Sequence, residues 1–205
     1  MAQYGSSNQK ITPVVLNLII INALVYVGQM ILDKTIGLTE KIALFSYDSG
    51  LFEPYQLVTH MFAHSPNSIF HILFNMYALW MFGTVLERVW GPKRFLIFYL
   101  ICGLAAGVAQ MFLVHNGVAV GASGAIMGLL AAFAYLFPNT EFFILPFPFP
   151  IKAKYMVAIY AAIDLFGGIH PGAADNVAHF AHLGGMVMGF ILVIIWGKTN
   201  KKTFY

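Results

Sequence analysis

Six apolar runs punctuate this chain, at about residues 11–32, 67–86, 95–114, 119–137, 154–168 and 177–196. A helix crossing the hydrocarbon core of a bilayer needs roughly 20 mostly apolar residues, because each residue advances it by about 1.5 Å. In lipid every backbone N–H and C=O must find a partner inside the chain, which leaves helices or closed barrels as spanning structures. Runs of this length select helices. Only 9% of the 205 residues are charged, against about 25% in an ordinary soluble domain. So few charges cannot clothe a water-facing surface, and lipid is the expected solvent for most of the chain. The sequence therefore predicts an all-α polytopic membrane protein with six transmembrane helices. A short segment (1–10) leads into a membrane domain (11–197), and a short tail (198–205) follows it.

Loop charges give a direction. With the N-terminus cytoplasmic, Lys10, Arg88, Lys93, Arg94, Lys152, Lys154, Lys198, Lys201 and Lys202 share the cytoplasmic side, and only Lys34 and Lys41 lie opposite. That bias follows the positive-inside rule. Both termini are then cytoplasmic, and Asp33, Glu40, Asp48, Glu53 and Asp175 lie outside. The first run lacks a small-residue cleavage pattern and reads as a permanent anchor. A prokaryotic inner membrane is the expected location. The long outer loop, about 33–66, is amphipathic ("IALFSY", "LFEPYQLVTHMF") and is expected to lie partly in the interface. "LPFPFP", residues 145–150, reads as a stiff extended connector. A single cysteine, Cys102, within an apolar run excludes an intrachain disulfide and a cysteine metal site. The basic residues are scattered among apolar runs, so no nucleic-acid partner is expected.

Polar groups inside apolar runs are costly and mark function. The second run opens with His71 and Asn75, the fourth with Ser123, and the sixth with His179 and His182. All three runs cross in the same direction, so these groups share one layer roughly 5–12 Å below the outer surface. His71 and Asn75 are four apart, and His179 and His182 three apart, so each pair shares a helix face. Serine is a weak nucleophile that needs a base within hydrogen-bond reach. A histidine of the sixth run is the natural base. Ser123 sits near a helix N-terminus, whose free N–H groups can hold an oxyanion. The Asn75 amide and His71 imidazole can add to that hole. Asp164 is the only acid within a run, toward the outer half of the fifth. With no acid expected in the layer itself, the sequence predicts a Ser–His dyad rather than a triad. Gly124 with Gly128, and Gly185 with Gly189, are four apart. Small-xxx-small faces predict close approach of the fourth and sixth helices.

"HILFN", "GASGA" and "AHLGGMVMG", in this order and at one depth, resemble the rhomboid family of intramembrane serine proteases. The resemblance implies a six-helix rhomboid-like bundle with a water-filled cavity open to the outside. It implies Ser123 as nucleophile, His182 as general base, and His71, Asn75 and the Ser123 N–H as the oxyanion hole. It further implies transmembrane protein substrates with small residues at the cut, lipid as the surrounding partner, and no metal or cofactor. Glu87 and Arg88 of "LERVWG" correspond to a structural pair. This chain departs from the family at Tyr55-Gln56, where many members carry Trp-Arg, and at Met127, where an aromatic residue often follows the serine. The stretch before His71 is also about two residues longer than is common.

Two rivals remain open at this stage. One is a proteolytically inactive relative that binds membrane helices. The other is a histidine-lined transporter or metal-binding membrane protein, using His60, His64, His71, His179 and His182. That second reading leaves Ser123 and its glycines unexplained, and metal sites usually add a carboxylate or thiolate. His60 and His64 alone read as interfacial or solvent-facing loop residues. His115 and His170 read as loop residues without an evident partner.

Overall fold

A computed structural model describes residues 10–115, 117–143, 149–170 and 177–199. Among the described residues, four helices are long and apolar enough to cross a membrane, and a shorter apolar one accompanies them. Helix α1 (Pro13–Ile36) opens on a proline whose missing N–H costs nothing at that position, and closes at Gly37 with φ 63°. Its first turn is capped from a distance: Val14 and Val15 N–H donate to the Glu87 carboxylate at 3.0 and 2.9 Å, and the Thr12 hydroxyl donates at 2.6 Å. Arg88 donates to the Lys10 carbonyl at 2.6 Å. Glu87 and Arg88 thus act together on the start of α1 rather than as an ion pair with each other.

The chain then makes α2 (Leu38–Ile42), β1 (Leu44–Phe45), one 3-10 turn and α3 (Gln56–Thr59). The second membrane-length helix, Ile69–Trp90, comprises α4 (Ile69–Ala78), a π turn (Leu79–Gly83) and α5 (Thr84–Trp90). At the π turn a Cβ on Gly83 would lie 2.9 Å from the Val15 side chain, so this glycine lets α1 pack closely. Gly91, with φ 78°, and Pro92 end that helix and start α6 (Pro92–Leu113). Then follow β2 (Val118–Ala119), α7 (Ser123–Leu136), β3 (Glu141–Phe143), β4 (Pro150–Lys152), α8 (Ala153–Ile169) and α9 (His179–Thr199).

Apolar runs and helices agree to within a few residues, with one informative exception. The fourth run begins at residue 119, but residues 118–119 pair with β1 and helix begins only at Ser123. Gly121, at φ 129°, cannot belong to a right-handed helix, so the break places Ser123 in the first turn. The sequence predicts no strands, yet two short antiparallel ladders occur: β1–β2 and β3–β4. The proline-rich connector is partly this second hairpin, with Phe143 opposite Pro150, and residues 144–148 lie outside the described residues. Most of the tail, and Asp175, also lie outside them.

The helices differ in what surrounds them. α7 is buried on every side, through Gly124, Ala125, Ile126, Gly128, Leu129 and its following alanines. Its short length and apolar circumference suit a central helix. α1 turns Leu24, Val27, Met30 and Ile31 outward, and α4 turns Phe70, Leu73 and Phe74 outward. Continuous outward apolar surface on long helices is what a lipid solvent requires.

Candidate active site

The N-terminal ends of α4, α7 and α9 meet beside the last turns of α8. The seam between α7 and α9 decides how closely. A Cβ at Gly185 would collide with the Gly124 carbonyl, and one at Gly189 would lie 2.7 Å from the Gly128 Cα. Both glycine pairs singled out from the sequence therefore face each other, and the two backbones touch. Gln110 of α6 accepts the Ala181 N–H at 3.3 Å and holds the start of α9 in place.

That closeness brings two short side chains together. His182 Nε2 lies 2.9 Å from Ser123 Oγ. On the other side of the ring, His182 Nδ1–H donates to Asp164 Oδ1 at 3.0 Å, and His179 Nδ1–H donates to the same oxygen at 2.8 Å. A carboxylate accepts and never donates. The hydrogen of the neutral His182 ring is thus on Nδ1, and the Nε2 lone pair faces the serine hydroxyl. The expectation that no acid occupies this layer is incorrect. Asp164, only 4% exposed, stands at the level of the histidines because α8 ends five residues later and α9 begins three residues before His182. Depth alone does not reveal which face of α8 carries it.

The opposite wall of the serine is His71. Ser65 N–H donates to His71 Nδ1 at 3.2 Å, which puts the ring hydrogen on Nε2. That Nε2–H looks toward Gly121, where a Cβ would sit 3.0 Å from it and 3.6 Å from Ser123 Oγ. A side chain at position 121 would fill the space between His71 Nε2 and Ser123 Oγ. Ser123 N–H, in the first turn of α7, has no partner within its own helix. Asn75 spends one amide hydrogen on the His71 carbonyl, at 2.7 Å one turn back in α4, and its amide carries a second. His71 and Ser123 thus flank the small space at Gly121, and Asn75 is tied to the His71 backbone. A narrow cavity beside Ser123 continues to His60, Met61, Gly103 and Ala178.

The loop before α4 is fastened by residues that spacing does not single out. Gln29 of α1 donates to the His64 carbonyl at 2.8 Å and accepts the His64 N–H at 2.9 Å. It also donates to Thr39 Oγ1 at 2.7 Å. Gln56, buried, accepts the N–H groups of Phe45 and Glu53 and donates to the Leu51 carbonyl. The Tyr55-Gln56 departure therefore supplies its own loop anchor. His60 and His64 are not solvent-facing: they are 4% and 0% exposed. His60 Nδ1–H donates to the Gln56 carbonyl at 2.8 Å, and the His60 carbonyl accepts the Gly121 N–H at 2.9 Å. Burial lowers the His60 pKa to about 4. Burial, and then the neighbouring His71, lower that of His64 to about 4. His64 Nδ1–H donates to the Phe62 carbonyl at 3.3 Å, and its ring meets His71 edge-on at 5.2 Å.

His115, instead of lacking a partner, pairs with Asp48 at 2.6 Å, and His170 stacks on Phe166 at 5.0 Å. Cys102 is buried packing, as its apolar run implies. Among the described residues, no three His, Cys, Asp or Glu side chains are arranged to hold a metal ion.

Residues 51–199 match the Rhomboid domain family. The chain is 32% identical over 146 residues to Rhomboid protein 1, mitochondrial, of Saccharomyces cerevisiae, covering 68% of this chain and 42% of the yeast protein. It is 34% identical over 153 residues to Rhomboid protease GluP of Bacillus subtilis, covering 74% of this chain and 28% of that protein. With the Presenilin-associated rhomboid-like protein, mitochondrial, of Rattus norvegicus it shares 34% over 127 residues, 60% of this chain and 33% of the rat protein. The chain thus spans less than half the length of each of these relatives.

Proposed function

Because the chain belongs to the rhomboid family, we propose that it is an intramembrane serine endopeptidase that cuts within or near the transmembrane segments of other membrane proteins. The observation that carries this reading is the 2.9 Å contact between Ser123 Oγ and His182 Nε2, at the N-terminus of the most enclosed helix. In the proposed reaction Ser123 Oγ attacks the substrate carbonyl carbon as His182 Nε2 takes its proton. The carbonyl π electrons move onto oxygen, and the resulting oxyanion is met by His71 Nε2–H, the Asn75 amide and Ser123 N–H. Collapse breaks the C–N bond, and His182 returns the proton to the leaving amine. Water, activated by the same histidine, then releases the acyl group from Ser123. The chemistry needs no metal or cofactor.

In the same proposal the chain forms a six-helix membrane domain over residues 11–197, with α8 as fifth span and both termini cytoplasmic. The site then opens outward, and water reaches it from that side. A prokaryotic inner membrane fits the loop charges. Substrates in this proposal are transmembrane helices with small residues at the cut, as the family resemblance implies.

The test is cleavage by purified protein in proteoliposomes, with a fluorogenic transmembrane peptide and a fluorophosphonate probe. Wild type cleaves and is labelled, Ser123→Ala does neither, and His182→Ala loses at least about 1000-fold in kcat. Cleavage that persists in Ser123→Ala overturns the reading. Binding of the peptide with no cleavage by wild type points to an inactive helix binder, and loss of activity on chelation points to a metal site.

A further inference from the structure

The proposed base has a partner that a two-residue mechanism leaves without a task. Asp164 is buried in an apolar helix, and an unpaired carboxylate there is costly. Its Oδ1 accepts both His182 Nδ1–H and His179 Nδ1–H. We propose that Asp164 is a positioning residue for His182, so that Asp164, His182 and Ser123 work as a line of three with His179 steadying the carboxylate. This rests on the reading of Ser123 as nucleophile and His182 as base.

The physical reason lies in the two tautomers of neutral imidazole. Only the Nδ1–H form offers a lone pair on Nε2 to the serine hydroxyl, and Asp164 can partner only that form. When Nε2 takes the serine proton the ring becomes a cation. The carboxylate 3.0 Å away then stabilises it, and the Nδ1 proton stays where it is. His179 lies one turn earlier on the same face of α9 and donates to the same oxygen. With two N–H donors from one helix, the oxygen is fixed between α8 and α9. Gly167 makes this possible, because a Cβ there would collide with the His179 ring.

Two measurements test the assignment. In proteoliposomes with the fluorogenic transmembrane peptide, Asp164→Asn is expected to lower kcat at least about 100-fold with KM within about twofold, because the amide can hold the wrong tautomer while the substrate surface is untouched. In wild-type protein labelled with 15N-histidine, the His182 signal, identified by its loss in His182→Asn, is expected to report the Nδ1–H tautomer. In Asp164→Asn it is expected to report Nε2–H. Wild-type kcat in Asp164→Asn overturns the proposal, and so does an Nε2–H signal in the wild type. The wild-type spectrum requires no substitution at position 164, so it decides even if that variant does not fold. Cleavage surviving Ser123→Ala removes the protease reading itself. A dead Ser123→Ala beside a fully active Asp164→Asn removes only the role of Asp164.

Discussion

The two walls of the candidate site are built by different means. The base wall is made of helices: α7 and α9 touch through glycine backbones, and α8 adds Asp164 by side-chain hydrogen bonds. The donor wall rests on a loop. His71 has its tautomer set by Ser65 N–H, and the neighbouring His64 backbone is held by Gln29 from α1. The α7–α9 seam fixes position through shape, and the glycine contacts that form it contain nothing that titrates. A loop held by buried amides and histidines keeps its shape only while each hydrogen bond and protonation state is kept. The base wall is therefore expected to fail by steric disruption, and the donor wall by acid or by the loss of a single amide.

The largest effect expected is at Gly185. A leucine there would drive its Cβ into the Gly124 backbone carbonyl, which cannot rotate away. Overpacking ordinarily costs about 1–3 kcal/mol, and a backbone obstacle exceeds that range. Gly185→Leu is expected to separate Ser123 from His182 and abolish fluorophosphonate labelling, with a lowered melting temperature. Labelling at the wild-type rate would mean that the seam is not what holds the two residues together.

Acid comes next, and it acts on the other wall. His60 and His64 hold pKa values of about 4 in the closed loop, against 6.5 when exposed. Between those values the opened loop binds more protons than the closed one, so falling pH favours opening. Above about pH 6.5 the contribution is complete and constant. Below it each histidine costs about 1.4 kcal/mol per pH unit, so pH 5 costs about 2 kcal/mol for each. Hydrogen exchange of the amides at residues 56–65, corrected for intrinsic rate, is expected to accelerate from pH 6.5 to pH 5 while those of α7 stay protected. Equal behaviour of the two regions would remove the distinction between the walls.

This division also explains what could be read from the sequence. The shared layer of His71, Asn75, Ser123, His179 and His182 and the glycine pairs follow from helical periodicity and from the cost of polar atoms in lipid. Both act over short, regular stretches. The choice of His182 over His179 as base comes only from the family resemblance. Ser123 and His182 are 59 residues apart, yet each announces itself by depth and neighbours. Asp164 announced its depth but not its facing, because α8 exposes apolar residues on several sides and periodicity does not orient it. A signal was nonetheless available: a lone acid in a span needs a partner at its own level, and His179 and His182 stand there. The bond from Gln29 to His64 joins positions 35 apart across an irregular loop, where no period predicts proximity. The burial of His60 and His64 was hidden for the same reason. The break between the ladder and α7 lies at Gly121, whose positive φ goes with its N–H bond to the distant His60 carbonyl and is a tertiary outcome.

The smallest of these effects tests whether the donor wall hangs on a single residue. Gln29→Leu keeps the bulk of the side chain but deprives the buried His64 N–H and carbonyl of their partners. Unsatisfied buried groups of this kind cost about 1–3 kcal/mol. The cost falls on the loop, since Gln29 touches neither Ser123 nor His182. Ser65, one residue on, would then hold its N–H less firmly against His71, and the Nε2–H donor would be lost for part of the time. The expected result is a reduction of kcat by about tenfold, a factor equivalent to 1.4 kcal/mol. Ser123 and His182 remain in register, so the 15N signature of the His182 ring stays as in the wild type. A change in that signature would mean that the two walls are coupled through the loop, and that the oxyanion donors and the base cannot be perturbed separately.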